Sequence, residues 1–231
     1  MAVKHQPRRR RNAGRPASGD PRSGRSRESL LDAAARVFTE RGYRGATVDA
    51  IAEAAGLSKG AFYWHFESKD ELMLAVLAER VERPVKELIE LIRSAGPEEN
   101  ISSVATSRFA EFLEGGRDVI LLEHEYEGLA ARDPRLRRRY ARQRKALRLA
   151  LADALAARAR QLGAPPLDTP AEEVATAFLA LIRGLARERL VDPSGVPGHI
   201  LGNVTGLIYI GLLARAQGGE WKANAVLDSH D

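Results

Sequence analysis

The 231-residue chain contains no cysteine. That absence removes disulfides, thiolate zinc sites and iron–sulfur clusters from consideration, and it suits a reducing cytoplasm. Long hydrophobic runs are also missing. The longest apolar stretch, Ile200 to Ala214, is interrupted by Asn203 and Thr205 and is too short to cross a bilayer, so no membrane partner is expected. The N-terminus opens on charged residues instead of an apolar segment, so a secretory signal is not expected. Strand-like alternation is lacking, as is any internal repeat with a period of about 20–50 residues. There is no nucleophile motif and no phosphate-binding loop. His65 has no second ligand at metal-binding spacing beside it, and His124 belongs to a distant segment, so neither a metal nor a cofactor is implied. Carboxylate pairs such as Glu123 and Glu125 are ordinary on solvated helices. An enzyme or small-molecule carrier would need a titratable cluster in a pocket, and spacing reveals none.

What is present is unevenly distributed. Residues 1–27 carry nine Lys and Arg against one acid, Asp20, a net of +8; the rest holds 27 basic and 30 acidic side chains, a net of −3. A basic arm on a mildly acidic body suggests a polyanionic partner met through the N-terminus. The arm, rich in Arg, Gly, Pro and Ser, is expected to be disordered when free. Its segment Arg8 to Pro16 contains a Gly14-Arg15-Pro16 core that an A·T-rich minor groove can accept; a solvated tail adding only non-specific attraction is the other reading.

From residue 28 the pattern is helical. Leu30, Leu31, Ala34, Val37 and Phe38 recur at helical spacing before Gly42, and a second helix opens at the N-cap residue Thr47. A third, short helix follows Ser58, and a fourth starts near Ser68. Amphipathic stretches then run near 98–114, 117–132, 134–162, 170–191 and 197–217, divided by Gly and Pro. The expected fold is all-α, about nine helices: a small three-helix domain at 28–76, then a larger helical domain at 77–231. Pro84 lies inside the connecting helix and predicts a kink.

The window Thr47 to Phe62 has the makings of a helix-turn-helix. Ala52 is small where two helices would cross, Gly56 tolerates a left-handed turn, and Ile51, Ala55, Leu57 and Phe62 are spaced to fill the angle. The stretch Ser58-Lys59-Gly60-Ala61-Phe62-Tyr63-Trp64-His65-Phe66-Glu67-Ser68-Lys69 resembles the recognition helix and following turn of the tetracycline-repressor (TetR) family. Phe38, Gly42, Tyr43, Thr47 and Ile51 match that family's preceding pattern. The resemblance implies DNA contacts from Arg44, Thr47, Ser58, Lys59, Gly60, Ala61, Tyr63, Trp64, His65 and Lys69. Chemistry agrees: Lys59 can donate to guanine, Gly60 admits the backbone to base edges, and Tyr63, Trp64 and His65 can reach phosphates and sugars. Thr47 and Lys69 stand at helix N-termini, where an anion is favoured. The competing readings are Tyr63 and Trp64 as core aromatics and Thr47 as a cap alone.

A single such head reads few base pairs, so a homodimer on a palindromic double-stranded operator is expected. Two apolar stripes are candidates for the dimer contact: Val174, Phe178, Leu181, Ile182 and Leu185 on one helix, and Val204, Leu207, Ile208 and Gly211 on the other, with Gly202 and Gly206 for close approach. Intrachain packing is the alternative use of these stripes. The resemblance makes them a four-helix bundle across a two-fold axis. It also implies a small-molecule effector that respaces the two heads and frees a repressor from DNA. Phe109, Phe112, Leu122, His124, Tyr126 and Arg183 are the candidate effector contacts. An effector-independent regulator or activator is the rival expectation. The arginine-rich run from Arg132 to Arg148 reads as a solvated face; a second DNA contact there is the alternative, disfavoured by distance from the head.

Overall fold

A computed structural model describes residues 21–218. Its ten α-helices are α1 (Pro21–Gly45), α2 (Val48–Ala54), α3 (Lys59–His65), α4 (Lys69–Leu77), α5 (Arg83–Ser94), α6 (Ile101–Gly115), α7 (Arg117–Arg132), α8 (Pro134–Gln161), α9 (Ala171–Val191) and α10 (Ile200–Ala216). No strand occurs among the described residues, and no helix there is long and apolar enough to cross a membrane. The arm segment Arg8 to Pro16 lies outside them. Residues 21–27, which composition assigns to the disordered arm, are helical and extend α1. Arg27 gives a reason: its guanidinium lies over the Phe66 ring, 5.3 Å from the centroid, which ties the first turns to the head.

Local chemistry sets the helix boundaries in the head. Thr47, Ser58 and Ser68 are extended N-caps whose hydroxyls accept from the N–H groups of Ala50, Ala61 and Glu71. Glu71 returns the contact to the Glu67 N–H at 2.8 Å, anchoring the start of α4. Gly56 supplies the left-handed turn residue between α2 and α3 with φ +66°. Gly42 breaks α1 with φ +68°, and both carboxylate oxygens of Glu125, on α7, accept the next N–H, that of Tyr43, at 3.0 and 3.1 Å. A Cβ at residue 42 would sit 3.2 Å from those oxygens as well as in a strained backbone. Gly42→Ala is therefore expected to cost about 1–3 kcal/mol, read as a lower urea midpoint at unchanged slope.

The rod that leaves the head is continuous but not uniform. Between α4 and α5 the chain widens into one π turn, Ala78–Glu82, directly before Arg83-Pro84. Proline lacks an N–H and its ring crowds the carbonyl four residues back, so a wide turn is found where the sequence predicts a kink. Two cores flank this rod. The first joins Leu30, Phe38, Ile51, Phe62, Phe66 and Leu72 of the head to Leu122, Tyr126, Leu136 and Tyr140 of α7 and α8. The second packs Ile89 and Ile92 of α5 against Leu147, Leu151 and Leu155 of α8 and Val174, Phe178 and Leu179 of α9. The expected domain boundary at 76/77 thus falls within an unbroken rod, beside a core that both sides share.

Candidate DNA interface and cavity

The short helix α3 divides cleanly. Phe62 is fully buried and Phe66 nearly so, their rings 6.1 Å apart. On the other face Tyr63 is 52% and Trp64 39% exposed, a large apolar surface left uncovered in the single chain. His65 is half-buried and edge-on to Trp64, centroids 4.3 Å apart. Partial burial, and then the Arg27 charge, lower the pKa of its imidazole, which favours the neutral form. Gly60 and Ser58 are exposed and Ala61 is partly covered. Lys59 stands free of the core and pairs with Asp49 of α2 at 2.8 Å, whose carboxylate raises its pKa.

Arg44 and Thr47 are exposed beside this face. Lys69 is not free in the same way. Its ammonium donates to the carbonyls of Tyr43 and Ala46, both at 2.7 Å, and lies over the Tyr43 ring. Desolvation lowers its pKa there, opposed by Asp70 and Glu125. The side chain thus braces the end of α1, which leaves the backbone N–H at the start of α4 as its route to a phosphate. Tyr43 completes the brace by donating its hydroxyl to Asp70.

Behind the head, a cavity of about 290 Å3 lies among α5, α6, α8, α9 and α10. Its walls are apolar: Leu88, Ile92, Leu155, Phe178, Ile182 and Leu213 are representative. A smaller adjoining space of about 50 Å3 reaches Phe109, Phe112 and Arg183, three of the six expected effector contacts. Leu122 and Tyr126 instead lie in the core shared with the head, and His124 is exposed. The reason is the facing of α7, which turns Leu122 and Tyr126 inward under α1 and leaves His124 outward. Burial pushes the Tyr126 phenol up to about 12.

Two charged groups at the cavity were invisible to sequence reading. Glu82, buried on the π turn, lines the smaller space and pairs with the half-exposed Lys86 at 3.2 Å. Arg158, buried on α8, donates to the carbonyls of Ala95, Gly96, Pro97 and Glu99 and so pins the loop that edges the cavity. Glu82 sits among the charged residues Glu79, Arg80 and Arg83, and Arg158 in an alanine-rich stretch, so only a strict helical phase count would have flagged either. Among the described residues no group of three or more His, Cys, Asp or Glu is placed to hold a metal ion.

The two expected dimer stripes divide between inside and outside. Val174 and Phe178 are buried within the chain, and Leu181, Ile182 and Leu185 are half-covered by it. On α10, Val204 and Gly211 are half-buried, whereas Leu207 is 72% and Ile210 64% exposed, with Ile208 beside them. Gly202 and Gly206 serve α6, not a partner, because a side chain there would run into Ser102 and Thr106. The open apolar residues of α10 are therefore Leu207, Ile208 and Ile210, and on α9 the small residues Ala177, Ala180 and Gly184 are exposed.

Residues 30–76 match the model of bacterial regulatory proteins of the tetR family, and residues 97–201 match the BetI-type transcriptional repressor C-terminal model. The transcriptional regulator TtgR of Pseudomonas putida is 31% identical over 199 residues, 81% of this chain and 90% of that protein. The chain belongs to the TetR family. A second relative in this family's company is the transcriptional activator FasR of Mycolicibacterium smegmatis, 40% identical over 110 residues, 46% of this chain and 50% of that one. A crystal structure of a transcriptional regulator from Rhodococcus is 28% identical, with a TM-score of 0.57 over 82% of this chain and 96% of its own. This TetR-family member is accordingly a DNA-binding transcriptional regulator, and its family and relatives are regulators, not enzymes.

Proposed function

We propose that the protein is a ligand-responsive repressor that binds a palindromic operator as a homodimer and is released when a small apolar molecule enters the cavity. The observation that carries this is the placement of the cavity on the rod itself. Val85, Leu88, Ile89 and Ile92 of α5 form one wall, and the same rod continues through the π turn into α4 and the head. A ligand that favours one rod position would alter the spacing of two heads that must meet major grooves about 34–36 Å apart. The exposed Leu207, Ile208 and Ile210 would be covered by the second copy.

Selection of bound sequences from a random duplex pool tests the DNA half. A two-fold site with half-sites about one helical turn apart is expected; enrichment without two-fold symmetry would remove the dimeric reading. On the selected duplex, a screen of apolar small molecules is expected to find one that weakens binding, and the same molecule should fail on a variant whose cavity is filled by Ile92→Trp. The relative named as an activator makes the sign of regulation a separate readout, decided by transcription from the selected site with and without the protein.

In this reading Lys59 exchanges Asp49 for a base edge. Lys59→Ala is expected to weaken binding to the selected site roughly 10- to 100-fold and to relax the preference at one base pair only. A uniform loss over all sequences would assign Lys59 to the backbone instead.

A further inference from the structure

The arginine-rich run that reads as a remote solvated face is not remote. Helix α8 begins against the head: Arg139 reaches the N-cap hydroxyl of α4, on Ser68, at 3.4 Å, and Arg135 approaches Asp70 at 3.5 Å. Gln143, one turn further on, donates to the Leu74 carbonyl, one turn further along α4. The two helices therefore leave the head side by side. On this first half of α8, Arg135, Arg138, Arg142 and Lys145 recur at intervals of three, four and three, which places them in one row. All four are exposed, opposite the buried Leu136, Tyr140 and Leu147.

The row differs from two other cations of the same helix. Arg144 and Arg148, turned toward the neighbouring helices, each face an acid, Glu127 and Glu172. Some surface arginines elsewhere do likewise, as with Arg83 and Glu79 or Arg93 and Glu90. Among the described residues Arg138, Arg142 and Lys145 face none, and Arg135 has only the long contact to Asp70. Like charges three and four apart repel along a helix, so the row is a cost to the isolated fold. It is also interrupted: the same face continues as Leu149, Asp153 and Ala156 before Arg160. Four exposed cations in one row thus occupy the half of α8 that adjoins the DNA-binding head, whereas on the far half Arg160 stands singly.

We propose that this row is a second DNA-binding surface, which takes the phosphate backbone of duplex flanking the operator. It rests on the reading that the operator lies against α3 and the first turn of α4. The surface is continuous with that interface, and its charge is complementary to a polyanion. Arg138 and Arg142, the arginines of the row that face no acid among the described residues, carry most of the contact, and Lys145, about 15 Å along the helix from Arg135, carries least. The contact adds affinity without base preference, and a DNA bend toward the body increases it.

The test uses the full-length chain and two duplexes, the selected site alone and the same site extended by about one helical turn on each side. Binding is measured against salt concentration. The wild type is expected to show a steeper log–log slope on the long duplex, by about 2 units if each subunit gains one phosphate contact. Arg138→Gln with Arg142→Gln is expected to lose that increment and to match the wild type on the short duplex. Arg160→Gln, an exposed charge on the far half of the same helix, should keep it. Equal slopes on both duplexes for the wild type would overturn the proposal, as would an Arg160→Gln effect equal to that of the double variant. Failure of the operator reading has a different signature, the absence of any sequence-selective binding by the wild type. Circular dichroism of each variant checks the fold, and these exposed positions leave it unchanged.

Discussion

Arg183→Met is expected to lower the stability of the protein by about 3–5 kcal/mol, a fall in melting temperature on the order of 10 °C. Arg183 is buried on α9 and faces Glu123 of α7 at 3.3 Å; it also donates to the Leu179 carbonyl of its own helix. Glu123 is equally buried and accepts the Tyr140 hydroxyl at 2.8 Å. Methionine keeps much of the volume but leaves a carboxylate in a low-dielectric site with a phenol as its remaining partner. An unpaired buried charge is costly, whereas the pair itself contributes little net stability, since both ions were taken from water to make it. The double variant Glu123→Gln with Arg183→Met should therefore recover most of the loss, because the glutamine carbonyl still accepts from Tyr140. A double variant as unstable as the single one would mean that packing of the guanidinium, not charge, is what Arg183 supplies.

That ion pair has a position as well as an energy. Glu123 and Arg183 line the smaller space beside the cavity. Across Tyr140 the chain of contacts runs to Tyr126 and then Tyr43, with edge-on ring centroids 5.6 and 5.4 Å apart. Tyr43 belongs to the head, where its carbonyl takes the Lys69 ammonium and its N–H is held by Glu125. The cavity wall and the base of the DNA-binding helices are thus in continuous contact through α7 as well as through the rod. Physical contiguity is the observation here; coupling itself is a matter for double-mutant cycles.

Much of the head was legible in the sequence because its rules are local. A cap hydroxyl acts on an N–H three residues away, a left-handed turn needs glycine, and Phe62 and Phe66 one turn apart must share a face. The features that were not legible depend on segments distant in the chain. The cavity is assembled from five helices, and no single helix shows which of its apolar residues border a void and which fill one. Tyr126 reads as a pocket wall until α1 is seen to cover it. Val174 and Phe178 form the same kind of stripe as Leu207 and Ile208, and periodicity cannot say which stripe meets its own chain. The basic row on α8 was visible as composition, but its nearness to the head followed only from the path of α4. Residues 21–27 were misread for a related reason: helix α1 is extended there by a contact to Phe66, and composition carries no such information.

Phe62→Ala is the second large effect, again about 3–5 kcal/mol. The ring is fully buried, packed edge-on to Tyr63 at 5.2 Å and against Phe66. Helix α3 has seven residues, too few to be stable alone, so its position depends on that anchor. Loss of the ring leaves a void where α1, α2 and α4 converge, and Lys59, Tyr63 and Trp64 lose their fixed presentation. Sequence-selective DNA binding should fall at least as far as for Lys59→Ala, although Phe62 itself cannot reach a base. The shared core makes a sharper prediction. Because Leu122, Tyr126 and Tyr140 of the body pack in the same cluster as Phe62, the variant is expected to melt in one transition at lower temperature. A separate early transition, with the remainder melting at the wild-type temperature, would show that the head unfolds on its own. Ligand entry would then have to be transmitted across a weaker junction than this packing implies.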